Sequence, residues 1–368
     1  MRYLNAAKMR FALWTFSGCM ALALSEGRAD AAPQQPAWKF AFFSDGRSDK
    51  SNDPGASNGV RWASTRAIAA HAASQHVDLV VFPGDLSNGA TNFGTLEHQW
   101  TEWRKDMAPL YDAGIAVYPV RGNHELHQPD SIQAWRKVFP ELPQNGPEDQ
   151  IGLTYKVETK NACFIAVDEF AGQTEVGGGA KSKNAPVTGM VSPWVIEQID
   201  HTRKRWVFAF GHESAFFGHH TDALASDEQG RDALWNALGA RGGVYLSGHD
   251  HMYVRHWAPD QDNHPVLELV VGCAGAPLYP YDNAALNKKL PTDLFINAAH
   301  PTPNTHAYPP YYGYVLVTVH PDRLEGEWWA LTNYNPTRVA TEVPPESPQF
   351  EKLDAFTWPV GLAATSPP

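Results

Sequence analysis

Short apolar runs recur along this chain, and almost every one ends in a glycine or an acid followed by residues able to hold a cation. Asp45 follows Phe42, Phe43 and Ser44, and Gly84-Asp85 closes the run at residues 78–83. Gly122-Asn123-His124-Glu125 follows residues 115–120, Gly211-His212 follows residues 206–210, and Gly248-His249-Asp250-His251 follows residues 244–246. A brief, branched, wholly apolar run is what a strand buried on both faces requires. A glycine at its end lets the backbone turn sharply and direct the next side chain into a shared crevice. Between these runs, residues 60–76 and 95–110 have helical composition, with Val60, Ala63, Ala67 and Ala70 near one face. Alternating strand and helix predicts an α/β sheet fold, in which ligands collect beyond the carboxyl ends of the strands.

Carboxylate, amide oxygen and neutral imidazole are the donors that a pair of hard-to-borderline divalent metals recruits. Singly, each residue has an ordinary explanation. An Asp after a strand is usually a turn former, a lone His is usually structural, and His249 with His251 fits a surface turn. Five such elements in order are a different matter, and they read as a two-metal hydrolase.

In that order the motifs resemble those of the calcineurin-like metallophosphoesterases, in particular an exported branch akin to the purple acid phosphatases. The resemblance runs from about residue 40 to the region of Trp328. It implies a four-layer αββα sandwich and a catalytic domain over residues 38–335. It also implies two metal ions, iron, manganese or zinc, with Asp85 bridging them. One ion would take Asn123, His212 and His249 besides, and the other Asp45 and His251. Two such ions clamp phosphoryl oxygens and generate a hydroxide for in-line attack, without a protein nucleophile. His124 is implied as the group that protonates the leaving alkoxide or stabilises phosphoryl charge, oriented by a carboxylate from Glu125 or another acid. Arg121 is placed either to grip phosphate with its planar fork or to form a structural ion pair.

The chain departs from the family at one position. Where a ligating His usually follows the first Asp by two residues, this sequence has Arg47. Where the purple enzymes carry Tyr three residues after the second Asp, it has Asn88. A guanidinium has no lone pair to offer a metal. The ion at Asp45 therefore has three matched protein ligands, with water or Asn88 completing its shell. Arg47 is expected either to reach substrate phosphate or to pair with Asp49. Of the adjacent His219 and His220, one at most can face a common site, and His219 is the candidate for substrate contact.

Composition bounds the remaining possibilities. The 368 residues are 43% hydrophobic and 19% charged, enough for a sizeable core, and the motifs would be split by any domain boundary drawn between them. Lys8 and Arg10 precede an apolar stretch at residues 11–24, and Ala29-Asp30-Ala31 offers a cleavage site. A signal peptide over residues 1–31 and a periplasmic or secreted product are expected; a lipoprotein anchored at Cys19 is the weaker alternative. No other stretch approaches the roughly 18 apolar residues that span a bilayer. The net charge of −11 argues against a stable nucleic-acid partner and leaves a small phosphoester as the expected substrate.

Hydrolysis of phosphomonoesters or small phosphodiesters is the leading expectation. A cyclic-nucleotide or nucleic-acid phosphodiesterase, and a non-catalytic phosphoester- or metal-binding protein, are the alternatives. Two long loops, at residues 171–186 and 274–310, are expected to shape substrate choice. Residues 336–368, rich in Pro, Thr and Ser, read as a loosely docked tail. Cys163 and Cys273 sit in apolar runs, as buried thiols or as a disulfide.

Overall fold

The computed structural model describes residues 36–49, 54–171, 191–216, 220, 224–279, 306–307, 311–334 and 343–359. A six-stranded sheet has the order β13 (Phe350–Pro359), β12 (Arg323–Leu331), β11 (Tyr312–Val319), β1 (Trp38–Phe42), β2 (Leu79–Pro83), β3 (Ala116–Val120). A seven-stranded sheet has the order β10 (His306–Ala307), β8 (Tyr253–Pro259), β9 (Pro265–Val271), β7 (Val244–Ser247), β6 (Trp206–Phe210), β5 (Ala162–Ala166), β4 (Tyr155–Thr159). The strands that carry motifs run parallel, β1 with β2 and β3 in the first sheet, and β5 with β6 and β7 in the second.

Strand periodicity explains the layering. On β5, Ala162, Phe164 and Ala166 face the core shared by the two sheets, while Cys163 and Ile165 face a second apolar cluster. On β6, Trp206, Phe208 and Phe210 take the first side, and Val207 and Ala209 the second. Phe40 of β1 meets Phe164 and Phe208 edge-on across the sheet interface, at 5.1 and 5.0 Å. The helices α5 (Pro193–His201) and α6 (Glu228–Arg241) cover the outer face of the second sheet, burying Val195, Ile199, Leu234 and Trp235 in that second cluster. The helices α1 (Trp62–Ser74), α2 (Leu96–Asp106) and α3 (Ala108–Asp112) lie against the first sheet, with α4 (Ser131–Val138) packed on α2. This is the expected αββα arrangement.

Two expectations change. The single helix foreseen over residues 95–110 is two, because Pro109 has no N–H to continue α2 and instead opens α3. The loosely docked tail is in part a sheet edge: β13 pairs with β12 from Leu331↔Phe350 to Arg323↔Pro359. Its alternation turns Asp354 and Trp358 inward, a period-two pattern hidden among the prolines that flank it. Asp354 accepts from Tyr253 Oη at 2.7 Å and Arg255 Nε at 3.0 Å, so an edge residue of one sheet ties down β8 of the other. Asp354→Ala is expected to lower stability by about 2 kcal/mol, the scale of hydrogen bonds to a buried charge. An unchanged urea midpoint would show that β13 is dispensable.

Cys163 and Cys273 are free, buried thiols in different clusters, so the disulfide is not formed. The expected signal peptide at residues 1–31 and most of both long loops lie outside the described residues. Among the described residues no helix is long and apolar enough to cross a membrane.

Candidate metal centre

All six proposed ligands sit at one end of the paired sheets. Asp45, Asp85 and Asn123 follow β1, β2 and β3; His212 and His249 follow β6 and β7; His251 precedes β8. Asp45, Asp85 and His249 have left-handed backbones, with φ of 60°, 54° and 63°. Each such residue costs on the order of 1–2 kcal/mol, so the surrounding packing must hold it there. The glycines beside them leave the necessary room. A Cβ on Gly122 would lie 2.6 Å from Asp85 N, and one on Gly248 would collide with Ser44 Oγ.

Three donor atoms surround His212 Nε2, and ligand atoms of Asp45, Asp85 and His212 all lie within 4.8 Å of one another. His212 Nε2 lies 3.0 Å from Asn123 Oδ1, 3.1 Å from His249 Nδ1 and 3.4 Å from Asp85 Oδ1. Ligands bound at about 2.0–2.1 Å in a tetrahedral shell stand roughly 3.3 Å apart, so these spacings fit a common ion. His212 Nδ1 donates to Pro83 O at 2.8 Å, which turns Nε2 towards the three acceptors. Burial lowers the basicity of His212, but Asp85 and Asp45 raise its pKa to about 9.

The second donor set is less complete. Asp45 Oδ1 lies 3.5 Å from His251 Nε2, is buried, and has no hydrogen-bond partner. Burial, partly offset by His212, pushes the Asp45 carboxyl up to about 6. His251 Nδ1 donates to Pro277 O at 2.8 Å, so its Nε2 lone pair faces Asp45 and Arg47. The Asp85 carboxyl is buried, which alone would raise it; His212, His124 and Arg47 together hold it far below the usual carboxylate range. Both donor sets therefore meet at an ionised Asp85, and the protein frame suits metal binding.

Of the two roles foreseen for it, Arg47 takes the pairing with Asp49, and its side chain also enters the centre. Its Nε is 3.3 Å from Asp85 Oδ2, and its Nη2 is 3.3 Å from His251 Nε2. Asn88 Nδ2 donates to Ser48 O at 3.1 Å and Asp49 Oδ1 at 3.2 Å, while its Oδ1, the atom able to ligate, accepts from Ala90 N at 3.4 Å.

His124 stands at the rim, with Nε2 3.8 Å from Asp85 Oδ2. Among the described residues no carboxylate orients it, contrary to expectation; its Nδ1 donates to Asn88 O at 2.6 Å. Burial, with the charge of Arg47, lowers its pKa to about 3. Glu125 serves the backbone instead, accepting from the N–H groups of Asp85, Leu86 and Gly122 at 2.8, 3.0 and 2.7 Å. It thereby fixes the turn that presents Asp85 and Asn123.

Arg121 is not a phosphate contact. Its side chain is fully buried, with Nε 2.7 Å and Nη2 3.3 Å from the two oxygens of Asp168 and Nη1 3.1 Å from Ser131 Oγ. The geometry chooses the structural ion pair. His219 lies outside the described residues. Its neighbour His220 does reach the centre, stacked on His249 with ring centroids 3.9 Å apart. Asp250 accepts from His220 Nδ1 at 3.1 Å, and Tyr279 Oη is 3.0 Å from His220 Nε2.

Glu169 was missed from the sequence. It accepts from the backbone of His212 and Glu213 at 3.0 and 2.8 Å, and from Tyr245 Oη at 2.8 Å, holding the His212 turn as Glu125 holds the Asp85 turn. The signal was present: Asp168-Glu169 directly follows the apolar run of β5, as the other motifs follow theirs.

A sequence profile described as calcineurin-like phosphoesterase matches residues 41–253, which hold every one of these ligands and more than half of the chain. The chain belongs to the calcineurin-like phosphoesterase family. Among solved structures, that of PhoD superposes with a TM-score of 0.56 at 14% identity, covering 90% of this chain and 73% of that one. A dimetal phosphatase from Danio rerio covers 89% of this chain and 100% of its own, at 13% identity and a TM-score of 0.48. At such identity the PhoD likeness speaks for the fold alone. No curated protein matches the chain.

Proposed function

We propose that the protein is an exported, metal-dependent hydrolase of phosphomonoesters or small phosphodiesters. The observation that carries this reading is the buried cluster of Asp45, Asp85 and His212, whose ligand atoms lie within 4.8 Å of one another, with Asn123 and His249 also against His212 Nε2. Family membership gives phosphoester chemistry in general. The names of the structural neighbours, PhoD and a dimetal phosphatase, agree with it. Export rests on the basic and apolar residues ahead of Ala31.

Bound iron, manganese or zinc would supply Lewis acidity at the phosphoryl oxygens and acidify a water. The chain does the rest. Asp85 neutralises charge at the hub, and the backbone turns hold it without rearrangement when substrate arrives. Arg47 adds a permanent positive charge beside Asp85, favouring an anionic substrate. His124 Nδ1 donates to Asn88 O, which leaves a lone pair on Nε2 at the rim; beside a bound phosphoester that nitrogen is placed to take up a proton from solvent and pass it to the leaving oxygen.

Nitrophenyl phosphate and bis-nitrophenyl phosphate, assayed with added manganese, iron or zinc, test the proposal. Nitrophenolate release that a chelator abolishes and metal restores is expected. Absence of turnover on both esters with all three metals would remove the enzymatic reading.

A further inference from the structure

We propose that Arg47 is a resident cation of the metal centre, its guanidinium taking the place of a second metal ion, so that the chain holds one ion. The proposal rests on the metal-centre reading above. Asp45 Oδ1, Asp85 Oδ2 and His251 Nε2 form a second set of donors beside the first. Arg47 already stands against two of those three atoms: Nη2 meets His251 Nε2 at 3.3 Å, and Nε lies 3.3 Å from Asp85 Oδ2 as an ion pair without hydrogen-bond geometry. The His251 lone pair is directed by its Nδ1 bond to Pro277 O, and it meets an N–H of Arg47. An ion bound to Asp85 Oδ2 and His251 Nε2 would stand almost in contact with the guanidinium.

A guanidinium cannot yield by losing its proton, as a lysine or histidine could. It can only swing out, and several contacts oppose that. Asp49 pairs with Nη1, and Asn88 Nδ2 holds Asp49 Oδ1 at 3.2 Å. The Arg47 backbone bridges to Val60, and its side chain is 10% exposed. The loop after β1 and the loop after β2 thus co-operate to keep a positive charge inside the centre. Against Asp45, Asp85 and Asp49, that charge together with one divalent ion brings the centre to neutrality, so an anionic phosphoester meets no net repulsion. The set formed by Asp85 Oδ1, Asn123, His212 and His249 is untouched by Arg47 and keeps its ion.

The experiment is manganese uptake by the full metal-free chain, followed by equilibrium dialysis with elemental analysis and by electron paramagnetic resonance. The wild type is expected to take up about one Mn2+ per chain, with the spectrum of an isolated ion. Arg47→His should add a second ion and the broadened spectrum of a coupled pair. Asp49→Ala, which frees the guanidinium without touching a ligand, should tighten binding of a second ion at least ~10-fold. Two coupled ions in the wild type would overturn the proposal while leaving the metal centre intact. So would a folded Arg47→His and a folded Asp49→Ala that gain nothing. Uptake of no manganese, iron or zinc would sink the metal-centre reading itself, and this inference with it.

Discussion

Asp85→Asn is expected to abolish metal uptake and phosphoesterase turnover together. Among the described residues, Asp85 is the side chain whose two oxygens face the two donor sets: Oδ1 lies 3.4 Å from His212 Nε2, and Oδ2 lies 3.3 Å from Arg47 Nε. An amide is isosteric, so the fold should survive, but it carries no charge and turns one acceptor into a donor. That donor would point at His212 Nε2 or at the guanidinium, where the geometry demands an acceptor. Loss of a charge-stabilising group at a reacting centre costs roughly 10²–10³ in rate, and loss of the metal adds to it. A fall of at least about 10³ in kcat/KM is therefore expected, with metal content dropping in step. Retention of bound metal and turnover within about tenfold of wild type would mean that Asp85 is not the hub.

Arg121→Met and Asp168→Leu are each expected to destabilise the protein by about 3–5 kcal/mol, and the double variant by much less than the two combined. The pair is fully buried and bidentate, and it joins the end of β3 to the loop after β5, one from each sheet. Removing either partner leaves an uncompensated charge without water. Removing both leaves an apolar interior that can close over the gap. Urea unfolding of the metal-free chain measures this directly, since metal bound only to the folded state would mask part of the loss. If Arg121→Met unfolded within about 1 kcal/mol of wild type yet raised KM markedly, Arg121 would be a substrate contact after all.

Much of the centre was legible before any fold was known, for one physical reason. Strands buried on both faces are mostly apolar, so a metal ligand is most readily placed where such a run stops. Asp45, Asp85, Asn123, His212, His249 and His251 all obey this rule, and the rule applied once more would have found Asp168 and Glu169. The strand β13 escaped because its inward alternation is short and lies between proline-rich stretches, where composition points to a loop.

What the sequence determined by itself was the inventory and its order: which donors exist, that they follow apolar runs, and that Arg47 replaces an imidazole with a fixed charge. The tertiary structure decided the partners. It gave Arg121 to Asp168, Glu125 to three backbone N–H groups, His124 to Asn88 O, and the Arg47 guanidinium to Asp85 and His251. Residue type is carried by local chemistry and periodicity, which sequence spacing encodes. Which groups stand within three ångströms of one another depends on how two separate sheets meet, and that follows from the packing of the whole core.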